Sequence, residues 1–134
     1  MRSELVSVIA PILVTGNTVV VLASEERPLP AVTLTEVLAT SDVPGGVVNL
    51  LTGRTGEVAP WLASHADVNA IDLTGAAGAD GVVWADLEAA AADNLKRVLR
   101  PGDGDEPSWL APPPGPARIL QFTETKTVWH PKGT

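Results

Sequence analysis

Three short apolar runs dominate the first half of the chain, at residues 18–22, 47–51 and 69–73, and Gly or Pro residues flank each of them. The segments between these runs, residues 30–40 and 57–64, space their apolar positions as helices do. Strands that alternate with helices of about ten residues are typical of βαβ units. The pattern therefore predicts an α/β fold with a parallel sheet and flanking helices.

Two further segments have helical character. Residues 5–14 are apolar on nearly every side, which predicts a helix buried between layers and kinked or shortened by Pro11. Residues 86–99 predict a long helix with one apolar side, made of Leu87, Ala90, Ala91, Leu95, Val98 and Leu99. In the helix at 57–64, the residues expected to be buried are Val58, Trp61 and Leu62.

The composition changes sharply after residue 100. Residues 101–117 are rich in Pro and Gly, which predicts an extended linker. Residues 118–134 form a tail enriched in Thr, Val, Phe and Trp, which favours a strand that pairs with a distant segment or with another chain. We therefore divide the chain into an α/β domain at 1–100, the linker and the tail.

Charge and residue usage exclude several classes of function. The formal net charge of −7 argues against nucleic acid and anionic membrane as partners, since both attract basic surfaces. The 134 residues contain no cysteine, so disulfides, thiolate zinc sites and thiol nucleophiles are excluded within them. No apolar run approaches the roughly 18 residues of a membrane helix. Glu4, and the direct passage into a strand, argue against a signal peptide, so we expect a cytoplasmic protein.

Candidate chemistry is sparse. Gly53 and Gly56 lie in a turn between a strand and a helix, where free backbone N–H groups could hold an anion, although a tight turn explains them as well. His65 and His130 are too far apart in sequence to suggest a metal site, and we predict none. No Ser lies in a Gly-x-Ser-x-Gly context. We predict no catalytic residue.

Many short motifs follow one another in a familiar order. They are Ile9-Ala10-Pro11, Gly16-Asn17-Thr18-Val19-Val20-Val21, Ser24-Glu25, Pro28-Leu29-Pro30, Pro44-Gly45-Gly46-Val47-Val48-Asn49, Gly53, Ser64-His65-Ala66-Asp67-Val68, Leu73-Thr74-Gly75 and Thr123-Glu124-Thr125-Lys126-Thr127-Val128. In this order they resemble the cofactor-binding domain and the C-terminal oligomerisation strand of the aldehyde dehydrogenase superfamily. The chain looks most similar to short actinobacterial members without a catalytic domain.

The resemblance implies a three-layer, Rossmann-like parallel sheet of about three to four strands, with an extended C-terminal strand as tail. It also implies a site for NAD(P), whose matching residues here are Ser24, Glu25, Gly53, Gly56, Thr74 and Gly75. His65 matches a structural histidine of the family.

Several of the family's functional residues are replaced. The Lys of its Lys-Pro-Ser-Glu run is Leu22 here, and the Ser that meets the cofactor phosphates is Ala76. The Glu that serves as general base has no counterpart in Leu99-Arg100-Pro101-Gly102, and the linker stands where the domain with the nucleophilic Cys would follow. The family's oxyanion-hole Asn would lie upstream of these residues. We expect NAD(P) to be held weakly at most, and no cofactor to be bound.

Three functions stay open on this basis. The first is a pseudoenzyme that serves as an assembly module, as a homo-oligomer or as the partner of a complete aldehyde dehydrogenase. The second is a weak NAD(P)-binding module. The third is a subunit that supplies a cofactor site to an NAD(P)-dependent aldehyde oxidoreductase. The first is favoured because a small sheet with an open edge, and an apolar helix with part of its cover missing, would be buried between chains.

Overall fold

The computed structural model describes residues 4–100 and 116–131. Its helices are α1 (Glu4–Leu13), α2 (Leu29–Ala39), α3 (Thr55–Ser64), α4 (Trp84–Ala92) and α5 (Ala117–Leu120). Its strands are β1 (Val19–Leu22), β2 (Val48–Leu51), β3 (Ala70–Asp72) and β4 (Arg97–Leu99), and a 3₁₀ turn follows β3 at Thr74–Ala76. Most of the predicted linker, residues 101–115, lies outside the described residues, as do residues 132–134 of the tail.

The α/β class with parallel strands and flanking helices is confirmed. Helix α2 connects β1 to β2 and helix α4 connects β3 to β4, and each of these parallel pairs has the arrangement of a βαβ unit. Helix α3 connects one pair to the other. The β-branched run of β1 suits a strand, and α2 opens directly after Pro28, where a proline is well tolerated. No helix in the described part of the chain is both long and apolar enough to cross a bilayer.

The strands pair two by two, and this differs from the single sheet that we predicted. Strand β1 pairs with β2 in parallel, in a register that runs from Val19 opposite Val48 to Leu22 opposite Leu51. Strand β3 pairs with β4 in parallel, with Ala70 opposite Arg97. The described residues thus form two small sheets of two strands each. Both β1 and β3 have a paired strand on one side only.

The core lies where α3 and α4 pack together over one face of the β3–β4 sheet. Its buried members are Ala59, Ala63, Leu73, Ala76 and Leu87, and Ile71, Val82, Ala90 and Val98 pack against them. Small side chains let the two helices approach closely: Ala63 and Ala91 are both fully buried. Alanine and aliphatic residues supply this packing in a chain with a single Phe and no Tyr.

The predicted helix at 86–99 is wrong beyond Ala92. Helix α4 ends there, Leu95 takes a left-handed conformation with φ 55°, and β4 begins at Arg97. Leu95, predicted on the buried side, is 92% exposed. Residues 97–99 form a strand despite their helical spacing, because parallel pairing with β3 packs Val98 against the core.

The predicted strand in the tail is wrong at residues 118–120, which are helical, while its pairing with another chain stays a prediction. Residues 117–120 form the short helix α5 beside α1, and residues 123–131 are neither helix nor strand. The side chain of Phe122 is buried, and its carbonyl accepts a hydrogen bond from Asn17 Nδ2 at 3.0 Å. The buried Phe122 side chain and this hydrogen bond thus hold residues near the C-terminus against the loop before β1.

Several apolar side chains expected in the interior are exposed. Helix α1 buries only one side, through Ile9 and Ile12, while Val6 and Val14 are exposed. Trp61 of α3, predicted to be buried, is 76% exposed. Val37 of α2 is exposed as well.

Candidate functional site

A wide cleft lies between the two sheets. Residues 18–23 of the β1 segment and 69–74 of the β3 segment line it, and α1, α2 and the tail contribute further lining residues. Neither β1 nor β3 is hydrogen-bonded to the other across this space. The cleft therefore separates β1 from β3.

Four of the six residues predicted to bind a cofactor line this cleft. Ser24 and Glu25 follow the carboxyl end of β1, and Thr74 and Gly75 follow the carboxyl end of β3. The carboxyl ends of parallel strands are the usual place for ligands in α/β folds. The other two do not line the cleft: Gly53 lies in the turn from β2 into α3, and Gly56 lies in the first turn of α3.

Glu25 spans the distance between the loop after β1 and the first turn of α3. Its Oε2 accepts the backbone N–H of Thr55 at 2.9 Å. The N-cap residue of α3, Arg54, gives no side-chain cap, so Glu25 supplies one from 30 positions away. A carboxylate of the chain itself thus occupies a helix N-terminus, the kind of position that attracts anions.

Gly56 has a packing role. A Cβ on this residue would lie 2.5 Å from the backbone oxygen of Asp80, which is closer than real Cβ contacts allow. At Gly53 a Cβ would lie 3.1 Å from Cγ2 of Val58. The structure thus supports the tight-turn interpretation of this Gly-x-x-Gly spacing.

Asp72, which no motif in the sequence marks, controls the turn after β3. Its Oδ1 accepts hydrogen bonds from the backbone N–H of Thr74 at 2.9 Å and from Thr74 Oγ1 at 2.5 Å. The hydroxyl of Thr74 is therefore already engaged within the turn. A carboxylate inside an otherwise apolar strand was the available signal for this residue.

Three polar atoms along the cleft are buried without a hydrogen-bond partner: Asp72 Oδ2, Arg97 Nε and Arg118 Nε. Buried polar groups are nearly always paired, so each such atom needs an explanation. The sequence pattern places Arg97 within a helix over 86–99, whereas the residue lies at the start of strand β4.

His65 has a structural role. Its Nδ1 accepts the backbone N–H of Asp67 at 3.2 Å, and its carbonyl accepts the Nζ of Lys96 at 2.6 Å. Lys96 is buried, with 7% of its surface exposed. Among the residues that the structure describes, no group of three His, Asp or Glu side chains is arranged to hold a metal ion.

Comparison with known proteins gives consistent matches. The aldehyde dehydrogenase family profile matches residues 4–111. An aldehyde dehydrogenase-like protein of Schizosaccharomyces pombe is 34% identical over 100 residues, which cover 75% of this chain and 19% of that protein. An NADP(+)-dependent D-glyceraldehyde dehydrogenase of Picrophilus torridus is 33% identical over 94 residues, which cover 70% of this chain and 18% of that enzyme. No solved structure matches.

Proposed function

The chain belongs to the aldehyde dehydrogenase family, and on that premise we propose that these 134 residues form a non-catalytic unit that works by association. The partner is a second copy of the chain or a complete aldehyde dehydrogenase. The chain spans about a fifth of the length of the curated relatives that it matches, at 19% and 18%. The activities of those proteins are therefore not carried over to it.

The residue content supports the non-catalytic part of this proposal. Attack on an aldehyde by a thiolate needs a cysteine, and the 134 residues contain none. A general base must accept a proton, yet the place of the family's general-base Glu is taken here by the apolar Leu99 on β4. Loss of a nucleophile alone removes several orders of magnitude in rate.

The hydrogen bonds around the predicted cofactor residues favour association over the rival function, weak NAD(P) binding. Glu25 matches the Glu of the family's Lys-Pro-Ser-Glu run, and its Oε2 is engaged by Thr55. The hydroxyl of Thr74 is engaged by Asp72. A cofactor would have to displace contacts that the chain already makes with itself.

The observation that carries the proposal is the open cleft between two incomplete sheets. Each of the four strands in the described ranges has a hydrogen-bonded neighbour on one side only. Free strand edges expose N–H and C=O groups to other chains, and two-stranded sheets are marginal by themselves. Val20, in the middle of β1, is 45% exposed at this cleft. Association would cover these groups.

The mass of the purified chain in solution tests the association. We expect light scattering at micromolar concentration to give the mass of a dimer or a larger assembly. If only monomer is found, the same measurement after mixing with a complete aldehyde dehydrogenase tests the second kind of partner. A monomer that joins neither would contradict the proposal.

Two assays test the non-catalytic part. We expect no oxidation of small aldehydes above the buffer rate with NAD⁺ or NADP⁺, and no heat when either cofactor is titrated to millimolar concentration. Turnover by the chain alone would overturn this part. Saturable heat without turnover would instead favour the NAD(P)-binding function.

A further inference from the structure

The loop between the 3₁₀ turn and α4 contains the dipeptide Asp80-Gly81. Both residues are exposed and belong to neither a helix nor a strand. Gly81 has a φ of 74°, in the left-handed region that glycine adopts without strain. Because glycine has no Cβ, the backbone nitrogen that follows Asp80 is sterically open to the aspartate carboxyl group.

Neither of these two groups is engaged by the fold. Among the described residues, the N–H of Gly81 donates no hydrogen bond, and the carboxylate of Asp80 has neither a hydrogen bond nor an ion pair. The next amide is paired, since the N–H of Val82 donates to the carbonyl of Ala79 at 3.2 Å. The carboxyl group of Asp80 and the adjacent nitrogen are therefore both free to react.

The other five aspartates in the described ranges differ from Asp80 in this respect. The N–H that follows each of them is hydrogen-bonded, to the hydroxyl of Ser41 in the case of Asp42 and to a backbone carbonyl in the other four cases. The donors are Val43, Val68, Leu73, Leu87 and Asn94. A hydrogen bond fixes the nitrogen toward its acceptor, so the structure distinguishes Asp80 from these five.

We propose that Asp80 is a site of spontaneous isomerisation to isoaspartate in the folded chain. The nitrogen of Gly81 attacks Cγ of Asp80, an N–Cγ bond forms, and the Cγ–OH bond breaks. The hydroxyl leaves as water with the amide proton, which gives a five-membered succinimide. One water then opens the ring, at Cγ to restore aspartate or at the α-carbonyl carbon to give isoaspartate. Nothing is oxidised or reduced, and the mass of the chain is unchanged.

The product would change a contact with α3. The backbone oxygen of Asp80 lies so near Gly56 that a Cβ on this glycine would be 2.5 Å away. In isoaspartate that oxygen belongs to a free carboxylate, and the main chain is one carbon longer. The new charge lies near the first turn of α3, where the carboxylate of Glu25 already accepts the N–H of Thr55. Like charges repel, so we expect isomerisation to loosen the loop from α3.

Incubation of the folded chain at physiological temperature and neutral pH tests the proposal. Electron-transfer fragmentation in mass spectrometry distinguishes isoaspartate from aspartate at each position. We expect isoaspartate to accumulate at Asp80 at a rate of the same order as in the chain unfolded by guanidinium chloride. At the other five aspartates of the described ranges we expect much slower accumulation. Asp103-Gly104, which lies outside those ranges, provides a reference for the same dipeptide in the unfolded chain.

Two substitutions at Asp80 and a matched control sharpen the test. Asp80→Glu keeps the charge but requires a six-membered ring, so we expect no isomerisation at position 80. Asp80→Asn makes ammonia the leaving group, so we expect faster reaction, seen as conversion of the amide to a carboxylate. Asp42→Asn is the control, because Asp42 is exposed while the following N–H is bound by Ser41, and it should stay intact. Circular dichroism checks that the variants fold.

Each outcome supports or overturns the proposal. If isoaspartate forms at Asp80 in the unfolded chain but not in the folded one, the fold protects this site and the proposal is wrong. Equal accumulation at the other described aspartates would overturn the role of the free N–H. The isomerised fraction should unfold at a lower temperature, and an unchanged midpoint would overturn the loosening of α3. The proposed association is measured by mass and is independent of these results.

Discussion

The carboxylate of Glu25 caps α3 from outside the helix, through a hydrogen bond of 2.9 Å from the backbone N–H of Thr55. The residue at the N-cap, Arg54, makes an exposed ion pair with Glu57 but no cap. Surface ion pairs of this kind stabilise little. Glu25 therefore links the end of β1 to the start of α3, and this link can be tested separately from cofactor binding.

Replacing Glu25 by Ala should lower the free energy of unfolding by about 0.5–1.5 kcal/mol, the value of one hydrogen bond to a helix N-terminus. Urea denaturation followed by circular dichroism measures the change. Glu26→Ala is the matched control, because Glu26 is exposed and adjacent, and it should change stability little. Equal effects of the two substitutions would contradict the capping role.

Two glycines allow a direct comparison of packing. Gly56→Ala should destabilise the fold by about 1–3 kcal/mol, because the new Cβ would lie 2.5 Å from the backbone oxygen of Asp80. Gly75→Ala should be nearly neutral, since no heavy atom lies within 4 Å of its Cβ position. Thermal unfolding of both variants checks the difference. A neutral Gly56→Ala would remove the packing explanation for this glycine.

Lys96 should contribute to stability through its buried ammonium group. Lys96→Met keeps the aliphatic stem but removes the hydrogen bond to the carbonyl of His65, at 2.6 Å. We expect a loss of about 1–3 kcal/mol, because that carbonyl loses a charged donor. Lys126→Met, in the exposed tail, is the control and should have little effect. Urea denaturation measures the free energy of unfolding of both variants. An unchanged value for Lys96→Met would show that the hydrogen bond from Lys96 to the carbonyl of His65 contributes nothing to stability.

Asn17 should hold α5 and Phe122 in place. Asn17→Ala removes the hydrogen bond to the carbonyl of Phe122, so amide exchange should become faster in residues 117–123 and stay unchanged in α3. Asn49→Ala is a matched control, since its side chain donates to the carbonyls of Gly46 and Val19 instead. Hydrogen exchange with mass spectrometry measures both. Unchanged exchange in residues 117–123 would show that Phe122 alone anchors the tail.

The strands of the first half could be placed from the sequence because their signal is local. Val19–Leu22 is a β-branched run with glycine before it, and no helical period competes with it. Strand β4 could not be placed in this way, because Val98 and Leu99 continue the helical spacing of Leu87 and Ala91. The exposed, left-handed Leu95 and the pairing with β3 depend on tertiary contacts.

The candidate site shows the same limit. Glu25 could be picked out by resemblance, but its partner Thr55 lies 30 positions away and has no motif of its own. Asp72 belongs to no motif, although a carboxylate in an apolar strand is a chemical signal, and only the register shows that it shares a face with Arg97. Resemblance identifies residue types at a site, whereas hydrogen bonding decides which of them are already engaged.

The hydrogen bond between Asn17 and Phe122 joins positions that are 105 residues apart. Closing so long a loop carries a larger entropic cost than joining β1 to β2, whose partners are close in sequence. Contacts of long sequence separation also slow folding. We therefore expect the βαβ units to form first during refolding and the tail to dock last, as a separate slow step.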